Sequence, residues 1–345
     1  MAPGHLDVGV DSRIELLSIV QFLSGYRLIT QKDSLYRRNI NHHFSPYKSH
    51  PAVKLFAELS KDFNYDAPPA AMLHLSEPPD LHLQLPFTED LERRAGGKDR
   101  LEQFIIQLRD FARETRFMTF FEANQPILLP MVAHVRRQAQ SCNVVRTVED
   151  YFGSRQHSYR VILAPLLANN CFGLRSERSD NTYDVSVVVG GTMELAIKGM
   201  LIFSSSLSVS CPVLWHELSH SFVNPLTARF RAEIECYRGL YNPISNRMAR
   251  IAYRTWEVCV NEHIIRAVTT RLIHREYGNV RGKLSLLEET MRGFRYVDAL
   301  CARLQECELQ RDQYPTFEDF YPQLVDVFRE LSENGNASTR SRLRA

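Results

Sequence analysis

The stretch Cys211-Pro-Val-Leu-Trp-His-Glu-Leu-Ser-His220 puts two histidines four residues apart, with a glutamate directly after the first. Ser210 suits an N-cap, Pro212 suits a first turn and Asn224-Pro225 offers a stop, so the pattern predicts a helix from about Ser210 to Val223. On that helix His216 and His220 stand one turn apart on one face. Two imidazoles so placed reach a single tetrahedral Zn2+, while Glu217, displaced to the side, can hold the attacking water. Leu214, Trp215, Leu218 and Phe222 predict that the helix is buried, where a histidine pair without a metal needs other partners. Glu217 is therefore the candidate catalytic residue, as general base and then acid, and His216 and His220 are the first two metal ligands.

A hydrolytic zinc needs a third protein ligand and one open position. The pattern H-E-x-x-H-x-x-G-x-x-H requires glycine and histidine where Val223 and Leu226 stand, which excludes the three-histidine class. A carboxylate from later in the chain remains, with Glu233, Glu235, Glu257 and Glu262 as candidates. The helix expected from Ile251 to Glu276 is apolar nearly all round, with Val258, Cys259, Val260, Ile264, Ile265 and Val268, so a carboxylate inside it has to be satisfied by something. Glu262 is the first choice and Glu257, near Tyr253, Asn261 and Ile264, the reserve. The simpler account of Glu262 is an ion pair with Arg266, one turn on, and no metal. A donor for the oxyanion is open among Tyr237, Tyr241, Tyr253, His263 and Arg266.

The 345 residues suffice for one large domain or two ordinary ones, and 44% of them are apolar, so a substantial core can be buried. Lys+Arg 42 against Asp+Glu 40 leaves a net charge of +2 without long runs of one sign, which argues against nucleic acid and against an anionic membrane as partners. No apolar run is long enough to cross a bilayer, and the start, MAPGHLDVGVDSRIELL, lacks the regions of a signal peptide; a cytoplasmic protein is expected, or an exported one if a leader has been replaced. The seven cysteines never form CxxC and suggest neither a disulfide framework nor a cysteine zinc site. Cys211 and Cys259 flank the motif helices without a base arrangement for thiol catalysis.

Ser12-Arg-Ile-Glu15 has capping-box spacing, with Glu15 as partner of Ser12, and predicts a helix over 12–24 with Gly25 as its C-terminal cap. Helices are expected from Pro51 to about Ser60, Asp99 to Thr115 and Leu129 to Ala139, with an irregular Pro-rich segment from Asp66 to Pro86 in which Leu81, Leu83 and Leu85 alternate like a short strand. His50 and the adjacent His42-His43 suit surface or capping roles. Tyr159–Leu163, Tyr183–Val189 and Gly199–Phe203 read as strands, and Tyr183–Val189 as either a sheet edge open to an extended peptide or an interior strand. Further helices are expected at 284–291, 296–309 and 317–331. The tail from 334 has almost nothing to bury and is expected to be disordered, and without an export signal the sequon at Asn336-Ala-Ser338 carries no meaning.

HELSH with a downstream glutamate resembles the gluzincin metallopeptidases, and Asn261-Glu262 is similar to the pair that opens the third-ligand motif in several of them. Arg266 departs from the acidic residue that thermolysin-like enzymes have there, and the gap from His220 to Glu262 is longer than in the best-known families. Arg13–Leu17, Phe44–Val53, the strand from Tyr183 to Gly190, His216–Pro225 and Glu262–Ala267 together resemble the domain-of-unknown-function family numbered 4932, bacterial or archaeal proteins regarded as zincin-like peptidases. The resemblance implies a zincin-like core with a small twisted sheet above the HExxH helix.

The sequence thus predicts an α+β, mostly helical chain: an N-terminal helical region over 1–140, a zincin-like catalytic region over 141–333 and a tail over 334–345. The expected function is zinc-dependent hydrolysis of a peptide or protein substrate. The rival is a catalytically silent zincin-fold scaffold that binds metal or regulates by interaction.

Overall fold

Asp11, not Ser12, opens the first helix: its carboxylate accepts the Arg13 N–H at 2.9 Å, while the Ser12 hydroxyl donates to Glu77. The capping box expected from Ser12 and Glu15 is therefore absent, because Glu15 is drawn instead into the core, where it accepts the Tyr36 hydroxyl. The helix still spans Ser12–Ser24 and ends on Gly25 at φ 73°, a left-handed turn that glycine takes without strain. A computed structural model describes residues 5–168, 170–178, 182–190 and 210–342. The expected strand Gly199–Phe203 lies outside the described residues.

The described chain is mostly helical, with a four-stranded mixed sheet. In order the elements are β1 (Leu6–Gly9), α1 (Ser12–Ser24), α2 (Leu35–Phe44), α3 (Pro51–Leu59), α4 (Ala67–Leu73), α5 (Glu89–Arg94), α6 (Lys98–Glu114), α7 (Phe117–Ala123), α8 (Gln125–Ser141) and α9 (Val144–Phe152). There follow β2 (Ser158–Ala164), β3 (Cys171–Glu177), β4 (Tyr183–Gly190), α10 (Cys211–Arg229), α11 (Arg231–Glu235), α12 (Ser245–Arg250), α13 (Trp256–Tyr277), α14 (Asn279–Arg292), α15 (Val297–Leu309) and α16 (Phe317–Arg342). None of the described helices is long and apolar enough to cross a membrane.

Two compact units divide the chain, one holding His5–Cys142 and Ser158–Ser210, the other Asn143–His157 and the chain from Cys211 on. The expected boundary near 140 falls at the first crossing, but the strands after it belong with the N-terminal helices. Main-chain pairing decides this: β1 pairs parallel with β2, Leu6 opposite Tyr159, and β2 pairs parallel with β4. Parallel strands need a long crossover, so the partners lie far apart in sequence. The order is β1-β2-β4-β3, which makes Tyr183–Gly190 an interior strand, with antiparallel β3 at the edge beside it.

Several boundaries differ from the sequence reading for local reasons. Pro68 and Pro69 start α4 where an irregular segment is expected, since a first turn has no use for the missing N–H groups. The alternation Leu81, Leu83, Leu85 comes to one isolated bridge between Leu75 and Leu83. Thr255 caps α13 by accepting from Val258 N–H, so that helix begins five residues later than Ile251. α16 continues to Arg342, past the onset of the expected tail: Gly335 weakens a helix by about 1 kcal/mol, and no proline follows to stop it.

In the second unit α10 and α13 pack against each other, and α14 and α15 pack on α13. Cys259, Val260, Ile264, Ile265, Ala267 and Val268 of α13 are fully buried. Each large aliphatic side chain so buried stabilises by about 1.5–3 kcal/mol. Phe222 of α10 stacks on Phe152 of α9, with centroids 4.4 Å apart. This apolar frame holds the polar groups of the two central helices at fixed positions.

Candidate metal centre

α10 does not stop at Asn224-Pro225. It continues to Arg229 with Pro225 inside, although an internal proline costs about 3 kcal/mol. Burial of Leu226 and Thr227 just beyond, with the Thr227 hydroxyl 2.6 Å from that of Tyr321, offsets this cost. The longer helix anchors HExxH on both sides, and Ser219 and Ser221 turn their hydroxyls back onto the carbonyls of Trp215 and Leu218.

His216 and His220 lie on one face of α10, their rings 5.2 Å apart and nearly perpendicular. Glu262 of α13 meets both: His216 Nε2 is 3.7 Å from Oε2 and His220 Nε2 is 3.6 Å from Oε1. Ligand atoms 2.0–2.1 Å from a tetrahedral zinc are separated by about 3.4 Å, so these spacings need only a small inward adjustment. Among the described residues these three form the group whose ligand atoms all lie within 4.8 Å of one another. Burial, then the charges of His220, Arg266 and Arg292, hold His216 well below the ordinary histidine range, which keeps it neutral and its lone pair free. Glu262 is 6% exposed, and its Oε2 accepts no hydrogen bond. A buried carboxylate oxygen without a hydrogen bond, facing two imidazoles, fits a divalent cation of zinc's N and O preferences.

The other carboxylates are elsewhere. Glu257 pairs with Arg231 at 2.9 Å, Glu235 pairs with Arg238 at 2.7 Å, and Glu233 is exposed. Glu217 is buried in α10, on the turn that carries both histidines.

The ion pair foreseen for Glu262 is present together with the histidines. Arg266 Nη2 is 3.2 Å from Glu262 Oε2, while Nη1 donates to both oxygens of Glu289 at 3.0 Å and Nη2 to the Tyr253 hydroxyl at 3.3 Å. The guanidinium also lies over the Phe294 ring, 4.0 Å from its centroid. Burial opposes the charge, but Glu262 and Glu289 outweigh it and raise the Arg266 pKa. Held through both terminal nitrogens, Arg266 fixes the rotamer of Glu262. Burial and the Glu262 charge push the Tyr253 hydroxyl up as well, so it remains a proton donor.

Of the oxyanion candidates, Tyr253 and Arg266 stand at the cluster. His263 is fully buried against Phe294 and Tyr296, its Nδ1 2.6 Å from the Cys259 carbonyl, and burial lowers it to about 4. Tyr241 donates to the Tyr253 carbonyl at 3.2 Å. Burial pushes the Cys259 thiol up to about 12, which removes it as a nucleophile.

Sequence reasoning missed Asn224, whose Oδ1 lies 3.3 Å from His220 Nδ1. An Nδ1–H donated to that oxygen leaves the Nε2 lone pair facing Glu262. The spacing of one turn from His220 is a readable signal, but the residue was read as a helix stop. Asn224→Ala is expected to weaken zinc binding by about 10–100-fold in competition with a chromophoric chelator, as loss of such an orienting partner does. An unchanged affinity would remove Asn224 from the site.

Comparison with known proteins adds a family and no more. A family model described as a domain of unknown function (DUF4932) matches residues 6–327. No curated protein matches the chain, and no solved structure does.

Proposed function

The chain belongs to the DUF4932 family, whose description leaves the chemistry to be argued from the residues, and we propose that it is a zinc-dependent peptidase with a zincin-like core. His216, His220 and Glu262 hold the ion, and Glu217 moves the proton. The observation that carries this reading is the approach of the two Glu262 oxygens to the Nε2 atoms of both histidines, at 3.7 and 3.6 Å, between two packed helices.

Bound there, zinc supplies Lewis acidity for a scissile carbonyl and lowers the pKa of water at its open position. The protein's own groups do the rest. Glu217 takes the proton from the attacking water and returns it to the leaving nitrogen. Asn224 keeps His220 in the tautomer that presents Nε2. Arg266 holds Glu262 in place, and the Tyr253 hydroxyl, which keeps its proton, can donate to a developing oxyanion.

The Arg266–Glu262 contact favours a second reading, a silent scaffold in which the buried carboxylate is satisfied by the guanidinium. Elemental analysis of the purified chain, with digestion of a generic peptide library with and without chelator, separates the two. One zinc per chain and cleavage that stops with chelator and returns with zinc are expected. Zinc that raises the unfolding temperature without any cleavage supports the scaffold, and a chain that takes up no zinc ends both.

A further inference from the structure

Helix α14 is packed inside out. Besides a half-buried Leu286, the face laid on α13 is small and polar: Gly282 is buried so closely that a Cβ there would come 2.6 Å from the Cβ of His274, Ser285 shares a hydrogen bond with Thr270 at 3.1 Å, and Glu289 takes Arg266. The opposite face carries Val280, Leu284, Leu287 and Met291, which are 74%, 55%, 56% and 68% exposed. An ordinary amphipathic helix does the reverse. Steps of four, three and four residues are the seam of a coiled-coil helix, the spacing that lets one straight stripe meet another helix along its length.

From this seam we infer that α14 is a dimerisation helix that pairs antiparallel with α14 of a second copy of this chain about a two-fold axis. The stripe is self-complementary in that arrangement: Leu284 of one copy meets Leu287 of the other, and Val280 meets Met291. The flanks agree. Arg281 and Glu288 each follow a seam residue and lie on one side of it, whereas Lys283 and Thr290 each precede one and lie on the other. Antiparallel pairing brings like flank to like flank in reverse order, so Arg281 faces Glu288 of the second copy twice, and Lys283 faces the neutral Thr290. The four seam side chains with the flanking stems offer about 500 Å² per copy, so a dimer buries about 1,000 Å² in total, the lower end for a specific interface, and should exchange with monomer. The inference is independent of the metal centre.

Sedimentation velocity of the full chain over about a hundredfold range of concentration tests it, since mass action then moves a weak dimer. A concentration-dependent dimer is expected for the wild type. Leu287→Glu lies on an exposed face and leaves the fold intact by circular dichroism; because the residue counts twice in the dimer, Kd should rise by about a hundredfold or more. Arg281→Glu should weaken the dimer by setting Glu against Glu288, and Arg281→Glu with Glu288→Arg should restore it. A wild type that stays monomeric, its seam open or covered by another protein, overturns the inference. So does a dimer indifferent to Leu287→Glu, or a double variant no better than Arg281→Glu.

Discussion

With Glu217 replaced by alanine or glutamine, peptide hydrolysis is expected to fall by about 10²–10⁴-fold, the contribution of a positioned general base, while the chain still binds one zinc. The metal readout and the catalytic readout separate because Glu217 is not among the ligand atoms: the histidines and Glu262 meet one another without it. Alanine and glutamine are both good helix formers, so α10 should keep its course and the histidines their positions. Glutamine preserves the volume of this buried side chain and removes only its basicity. Activity retained in either variant would falsify the assignment of Glu217 as the base. Loss of zinc along with activity would mean that Glu217 helps build the metal site, and the proton would then need another carrier.

A second large effect is expected far from that chemistry. Glu15 of α1 is fully buried, its Oε2 accepting the Tyr36 hydroxyl at 2.5 Å and its Oε1 buried without a hydrogen bond. Burial raises its carboxyl to about 8; the Tyr36 hydrogen bond opposes this and the Asp11 charge adds to it. In the unfolded chain the group ionises near 4.5, so between 4.5 and about 8 the folded state holds a proton that the unfolded state has lost. Its contribution is therefore complete below 4.5, falls as pH rises and is exhausted above about 8. At 1.36 kcal/mol per unit the loss is on the order of 5 kcal/mol. Glu15→Gln cannot ionise. It is expected to cost about 1–3 kcal/mol at low pH, where Glu15 is protonated in both states, because its amide meets the same unpartnered corner, and to flatten the slope, so that the deficit shrinks and reverses as pH rises toward 8. Urea unfolding of both proteins at several values between pH 5 and 8 reads the difference in slope. Parallel curves would show that Glu15 titrates normally.

These two glutamates mark how far the sequence could be read. Glu217 sits beside His216 in the chain, and its relation to the histidine pair follows from helical geometry alone. Glu15 has the spacing of a cap, and what removed it from that role was Tyr36, which belongs to another helix. The same division runs through the metal centre. His216 and His220 share a face because backbone hydrogen bonds repeat every 3.6 residues, and Glu262 stood out because an all-apolar helix cannot leave a carboxylate unsatisfied. That Arg266 is shared among Glu262, Glu289 and the Tyr253 hydroxyl is not legible, since Glu289 arrives from α14.

Local rules thus gave several of the helices, α1, α3, α6 and α10 among them, and the face of α10 that carries the imidazoles. Tertiary structure decided the rest: that α10 runs through Pro225, that β4 is flanked by β2 and β3, that the strands pack with the N-terminal helices, and that α14 turns its apolar side outward. The reason is one of range. Helical period and capping are free-energy terms among residues a turn apart, whereas strand register, burial and the choice of ion partner depend on groups brought together only when the whole chain has folded.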